Sequence, residues 1–412
     1  MRSFDQGFKF LGSVFCRSLV FDAPRRRDRD GPEVVRSFAE LAGDDKALAS
    51  LGEEGSWMRL LASGPDPGEE ERRWRSPVAS QGPDKRVAYI VSGDARVSGR
   101  KHGLWIERKG LPPQCIAWAN LAQVVVLGGH FIAPSLYNHA MQHRVPVALH
   151  RRDGSPLGLV LPDGVRSPSP RAIRQWAWGR DARNGLPVAR ALVEAKISNT
   201  RLLLRRQGES RDDILEMLAG LAKLATCAES IDRLRGVEGQ AAHAWFSAWP
   251  ELVGADFPWP GRTGRGARDP VNAMLNLLYT MLYRRTWLAT LSAGLDAYAG
   301  ILHAANGRHA ALASDLMEPF RFLADRAVLE ALHRRRVRPE DFVYDEKSRV
   351  PVRLREPTLK LLVELWEAAL AREVEWQGTK ASYQRHLDRQ ARSLAEVVDG
   401  ERAGIEAFRM KW

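Results

Sequence analysis

Residues 166–170 read RSPSP, and the texture of the chain changes on either side of them. Two prolines among serines suit neither a strand interior nor a helix interior, so the stretch reads as a hinge. Upstream, RVAYIVSGDARVSGRKHGLWIERKG (86–110) alternates short β-branched and aromatic runs with glycine-containing turns, the pattern of strands and hairpins. LAQVVVLGG (121–129) adds a buried strand and APSLYNHAMQHR (133–144) a short helix. VPVALHRRDGSPLGLVLPDG (145–164) supplies two more strands around an Asp-Gly turn. Downstream, apolar residues recur at helical spacing in ARALVEAKISNTRLLLRR (189–206), DDILEMLAGLAKLAT (212–226), PVNAMLNLLYTMLYRRTWLATLSAG (270–294) and EPTLKLLVELWEAALAREV (356–374). The expected fold class is α+β: a small β-rich domain over 86–165, then a larger all-α domain over 166–412.

Residues 1–85 read differently. From DAPRRRDRDGPE (22–33) to GPDPGEEERRWRSPVASQGPDK (64–85) they are rich in Pro, Gly and charge, as expected of an extension or linker. The Gly/Arg stretch PWPGRTGRGARDP (258–270) reads as a mobile loop. A net charge of +12, carried largely by arginine, makes a polyanionic partner the natural expectation. The three cysteines (Cys16, Cys115, Cys227) form no CxxC pair, which argues against a zinc ribbon, an iron–sulfur cluster or a disulfide framework and fits a reducing compartment. No apolar run reaches membrane-spanning length and the first residues lack a signal-peptide core, so a soluble, cytoplasmic protein is expected, with no membrane partner.

Few polar residues of the helical region stand out. In RLRGVEGQAAHAWF (233–246), Glu238 sits among small residues at an expected helix start, where a phosphate or another backbone could approach. An acid favoured by the helix dipole is the plainer reading of that position. AGILHAANGRHAALASDLMEPF (299–320) places His303 after an apolar run, followed by Asp315 and Glu318, three apart and therefore on one face of a helix. One imidazole with two or three carboxylates can ligate a divalent cation; Mn2+ accepts such a mixed set readily, whereas Mg2+ prefers oxygen. There is no GxSxG elbow and no Walker A loop, so serine hydrolysis and nucleotide hydrolysis lack support. Arg262, Arg265, Arg268, Arg284, Arg285, Arg308 and Arg321 lie between or beside these candidates. A metal site ringed by arginines points to phosphodiester chemistry, with the arginines holding a nucleic-acid backbone. Trp176, Trp178 and Arg180 could stack on bases or simply pack.

Several stretches carry a resemblance: RGVEGQAAHAWF (235–246), DPVNAMLNLLYTMLY (269–283) and GILHAANGRHAALASDLMEPFRFLADRAVL (300–329), in this order and spacing. With the strand-rich 121–158 and the helix over 189–206, the chain from about Val87 to AFRMKW (407–412) resembles the CRISPR-associated adaptation integrases, the universal Cas-one family. The resemblance implies a metal site of Glu238, His303 and Glu318, with Asp315 as an auxiliary residue and Mg2+ or Mn2+ as the cofactor. It implies antiviral spacer acquisition: the 3′-hydroxyl of a captured DNA fragment attacks a phosphodiester at the edge of a CRISPR repeat. Family members also cleave DNA, dimerise through the β domain, and bridge to a small dimeric ferredoxin-like protein in a heterohexamer. Asn272, Asn276 and Tyr279 match the polar positions of the family's central helix, where they would support the site or touch DNA.

The 85-residue extension departs from the usual family start, and within it GFKFLGSVF (7–15) resembles a stretch of group II intron-like reverse transcriptases. A YxDD motif is absent, so no polymerase activity is expected, and a reverse transcriptase joins the expected partners. Two other readings are a metal-dependent DNA nuclease with no integration role and a catalytically silent DNA-binding scaffold.

Overall fold

A computed structural model describes residues 85–411, apart from 92–94, 152–153, 163–169, 180, 209–210, 265, 305–308 and 349. Residues 1–84, and with them the 7–15 stretch, lie outside the described residues, as do Arg180, Arg265 and Arg308. The described residues belong to one unit, Arg75–Trp412.

The alternating stretch at the front forms two four-stranded sheets. One runs β1 (Arg86–Ile90), β5 (Leu121–Leu127), β7 (Val147–His150), β8 (Pro156–Val160); β1, β5 and β7 are parallel and β8 antiparallel. The other runs β4 (Leu111–Ala117), β3 (Gly103–Arg108), β2 (Arg96–Arg100), β6 (Phe131–Ile132). β4 carries Pro112 and Pro113 and lies at a sheet edge, where a missing N–H breaks no ladder. Helix α1 (Pro134–Gln142) packs on β2.

β5 is buried along its whole length because its two faces serve two cores. Val124 and Val126 join Val97, Leu104 and Leu136 in the core of the β region, while Val125 and Leu127 belong to the core of the helices.

The helices follow as α2 (Pro170–Gly179), α3 (Ala182–Arg205), α4 (Asp212–Cys227), α5 (Ile231–Ser247), α6 (Trp249–Val253), α7 (Pro270–Ser292), α8 (Ala311–Met317), α9 (Arg321–His333), α10 (Glu356–Ala371) and α11 (Tyr383–Val398). α7 is buried nearly all round, as a central helix must be. Tyr89 of β1 and Arg285 of α7 meet on Glu367 of α10: the tyrosine hydroxyl donates at 2.6 Å and the guanidinium at 2.6 and 2.8 Å.

The α+β order is the expected one, with two additions inside the helical region. β9 (Phe342–Tyr344) pairs with β10 (Val352–Leu354), and β11 (Glu373–Trp376) with β12 (Thr379–Ser382), each antiparallel. The second hairpin turns on Gln377 and Gly378, both with positive φ (48° and 73°). Gln-Gly is a weak version of the Asn-Gly signal for such turns.

Beyond α11 the chain crosses back over the helices. Phe408 is buried against Phe320, Phe322, Trp376 and Tyr383. Asn199 of α3 donates its side-chain amide to Pro319 O (2.7 Å) and Phe408 O (2.9 Å), tying two distant segments to one helix.

Candidate active site

Glu238 lies in the middle of α5, not at a helix start as its small neighbours suggested. The helix begins a full two turns earlier, where Ser230 accepts a hydrogen bond from Arg233 N at 3.2 Å. Gly236 and Gly239 are carried within it, and a Cβ at either would meet nothing within 4 Å.

His303 is presented by the turn before α8, and Asp315 of α8 builds that turn. Fully buried, Asp315 accepts from Ile301 N (2.5 Å) and Leu302 N (3.0 Å) on Oδ2, and from His303 N (2.9 Å) and His303 Nδ1–H (2.6 Å) on Oδ1. These four bonds use the carboxylate's acceptor capacity, so Asp315 orients His303 and has no lone pair to offer elsewhere. With Nδ1 engaged, Nε2 is the nitrogen left for a ligand or a proton. The hydrogen bond to Asp315 raises the His303 pKa, against the opposing effect of burial. Gly300 is required here: a Cβ would lie 2.4 Å from His303 O and 2.5 Å from Ala311 Cβ.

Asp315 and Glu318 part company because α8 stops between them. Glu318, Pro319 and Phe320 form a tight 3-10 turn, and the Glu318 carboxylate leaves the Asp315 cluster for two cations. Lys196 Nζ lies 2.5 Å from Glu318 Oε2 and Arg321 Nε 2.9 Å from it. Burial alone would raise the Glu318 carboxyl; Arg321, Lys196 and His303 overcome it and bring it down to about 2. Lys196, projecting from α3, also pairs with Glu238 Oε1. Burial works against its charge, but Glu318 and Glu238 hold its pKa above the ordinary value.

These groups border one cavity of about 260 Å³, together with Arg262, Tyr279, Arg321 and Asp325. Asp325 accepts from Tyr279 OH (2.5 Å) and Trp245 Nε1 (3.1 Å), and burial pushes its carboxyl up to about 6. The Arg262 and Arg321 guanidinium carbons lie 5.1 and 4.8 Å from the Tyr279 ring centroid. The cavity is therefore lined by carboxylates, an imidazole, cations and aromatic rings, with Arg321 beside both Glu318 and Tyr279.

The expected site residues divide accordingly. Glu238, His303 and Glu318 share the cavity, as do Arg262, Arg321 and Tyr279. Asn276 is half-buried on α7, and Arg268 is exposed. Asn272 holds the 258–269 segment: its amide donates to Gly261 O and Asp269 Oδ2, and its Oδ1 accepts from Thr263 N and Arg262 Nη1, each at 2.8–2.9 Å. The segment expected to be mobile is thus pinned where it carries Arg262. Arg284 and Arg285 correct the expectation of a DNA-facing pair. Both are buried, Arg285 on Glu367 and Arg284 with its guanidinium 4.7 Å from the Trp287 ring. Trp176 donates its indole N–H to Asp296 Oδ2 at 2.8 Å, and Trp178 packs on the helical core.

Lys196 and Asp325 were not anticipated. Their signal was a charge beside buried apolar neighbours: Lys196 between Ala195 and Ile197, Asp325 after Phe322, Leu323 and Ala324.

The donor types at Glu238, His303 and Glu318 suit a divalent cation. The two carboxylates already flank one positive centre, the Lys196 ammonium, and the imidazole is oriented through its other nitrogen. Among the described residues no three His, Cys, Asp or Glu side chains converge as a finished ligand cluster. The set therefore fits a metal ion in chemistry, with Lys196 lying between its two carboxylates.

Residues 88–368 match the family model described as CRISPR associated protein Cas1. A CRISPR-associated endonuclease Cas1 of Thermus thermophilus is 33% identical over 346 residues, covering 81% of this chain and all of that protein. Among solved structures, the fold is similar to a Cas6-RT-Cas1–Cas2 complex (TM-score 0.68, 22% identity, 89% of this chain and 39% of that one). It is also similar to a casposase bound to integration product (TM-score 0.66, 21% identity, 77% of this chain and 92% of that one).

Proposed function

Because the chain belongs to the Cas1 family of CRISPR-associated proteins, we propose that it is a DNA endonuclease and integrase of CRISPR adaptation. In this reaction the 3′-hydroxyl oxygen of a captured fragment bonds to a repeat-edge phosphorus, loses its proton, and the existing P–O bond breaks to free a new 3′-hydroxyl. One phosphodiester replaces another, so no nucleotide hydrolysis and no protein nucleophile are needed. The observation that supports this reading best is the shared cavity of Glu238, His303 and Glu318, with Arg262 and Arg321 in the same lining.

Glu238, His303 and Glu318 would hold Mn2+ or Mg2+, which supplies stabilisation of the negative charge developing on oxygen. Asp315 fixes the imidazole so that Nε2 faces its task with the correct tautomer. Arg262 and Arg321 suit a phosphate by planar, two-pronged hydrogen bonding. The Tyr279 ring beneath both guanidiniums limits their wandering.

We further infer a homodimer formed through the β region, which gives two such sites for the two ends of one fragment. A small ferredoxin-like partner would bridge dimers in a heterohexamer, and a reverse transcriptase is a further partner. The neighbour described as a Cas6-RT-Cas1–Cas2 complex supports partners of these kinds.

Glu238→Ala and His303→Ala are expected to remove joining of fragments to repeat-containing DNA while leaving gel-shift affinity for DNA within about threefold, since neither residue is a phosphate-binding cation. Unimpaired joining by either variant would refute the site. Cleavage without any joining by the unaltered protein would favour a nuclease with no integration role.

A further inference from the structure

Lys196 is held by the two carboxylates: its ammonium pairs with Glu238 Oε1 and with Glu318 Oε2, the oxygen that Arg321 Nε also meets at 2.9 Å. It lies between Glu238 and Glu318, with a side chain only 12% exposed. Two of the three proposed metal donors thus already share a cation, and that cation is tethered to α3. An ammonium and a divalent ion cannot use the same carboxylate lone pairs at once. Their mutual repulsion is also poorly screened in a buried site.

We propose that Lys196 is a built-in competitor for the metal: its ammonium takes the cation's position between Glu238 and Glu318 and swings into the cavity when a metal ion binds. The inference rests on the metal-site reading given above. The cavity has room for the displaced side chain, since Lys196 itself borders its 260 Å³. Four rotatable methylenes allow the movement without shifting α3. Without the metal, the ammonium keeps two neighbouring carboxylates from repelling each other. With it, the same ammonium is released into the cavity that Arg262 and Arg321 also line, where it can face a phosphate.

The test is Mn2+ binding to the full chain, read from the electron paramagnetic resonance signal of free Mn2+. Lys196→Met is expected to bind Mn2+ about tenfold more tightly than the unaltered protein, a modest coupling for mutually exclusive cations. His303→Ala should lose the binding. If Lys196→Met fails to fold, the unaltered protein still decides: acetylation of Lys196, followed by mass spectrometry, should rise when Mn2+ is added. Equal or weaker binding by a folded Lys196→Met, or labelling of Lys196 that ignores Mn2+, overturns the competitor role and leaves the metal site standing. Absence of Mn2+ binding by both the unaltered protein and Lys196→Met overturns the metal reading, and the inference with it. Undiminished binding by His303→Ala does the same.

Discussion

Asp315 and Glu318 are three residues apart and have opposite duties. One accepts four hydrogen bonds from the 301–303 turn; the other faces Lys196 and Arg321. Asp315→Asn should therefore act through His303. An amide cannot accept all four bonds, and removing such a support lowers activity by about 10–100-fold. The sharper readout is titration. His303 carries a pKa raised above 6.5, so its contribution to stability is complete below that value and fades as pH rises through the folded pKa. In Asp315→Asn the imidazole resonance, followed by proton NMR, should titrate at lower pH than in the unaltered protein. An unchanged titration would mean that Asp315 does not set the charge of His303. His303, Asp315 and Glu318 were legible in the sequence because they fall within one short stretch. Lys196 and Asp325 were not, since their partners come from other helices and an isolated charge in a helical pattern looks like a solvated face.

The elements that position the site depend on backbone approaches as much as on side chains. Gly300 lets the His303 turn pass against Ala311, and a methyl there would sit 2.4 Å from a backbone oxygen. Gly300→Ala is expected to cost about 1–3 kcal/mol in thermal unfolding and to reduce joining more than DNA affinity. Full joining with unchanged stability would show that the turn yields freely. The strands over 86–160 were readable because period-two alternation and an Asp-Gly turn mark them plainly. The start of α5 was misplaced because glycines beside Glu238 outweighed the quieter serine cap at Ser230. β11 escaped notice because EVEW continues the charge pattern of the helix before it. The 258–269 segment looked mobile from its glycines alone; only the fold reveals that Asn272 gathers it.

Over the whole molecule, a net charge of +12 does not mean that every arginine faces a polyanion. Arg285 joins the β region to two helices through Glu367, and Arg284 packs on aromatic rings. DNA affinity should still fall steeply with salt, each phosphate contact adding about −0.9 to the slope of log affinity against log salt. Arg262→Ala should make that slope shallower by about 1. Arg284→Ala should leave the slope alone and lower the unfolding temperature instead. A flat salt response would assign the arginines another purpose. The tie between Asn199, Pro319 and Phe408 has a consequence in time. A ribosome delivers the chain from the N-terminal side, so α3 and the turn bearing Glu318 emerge well before residue 408. Until that phenylalanine arrives, Asn199 can hold Pro319, but the ring that packs on Phe320 and Phe322 is missing. The packing around the turn that bears Glu318 is therefore completed only when the last residues of the fold have been made.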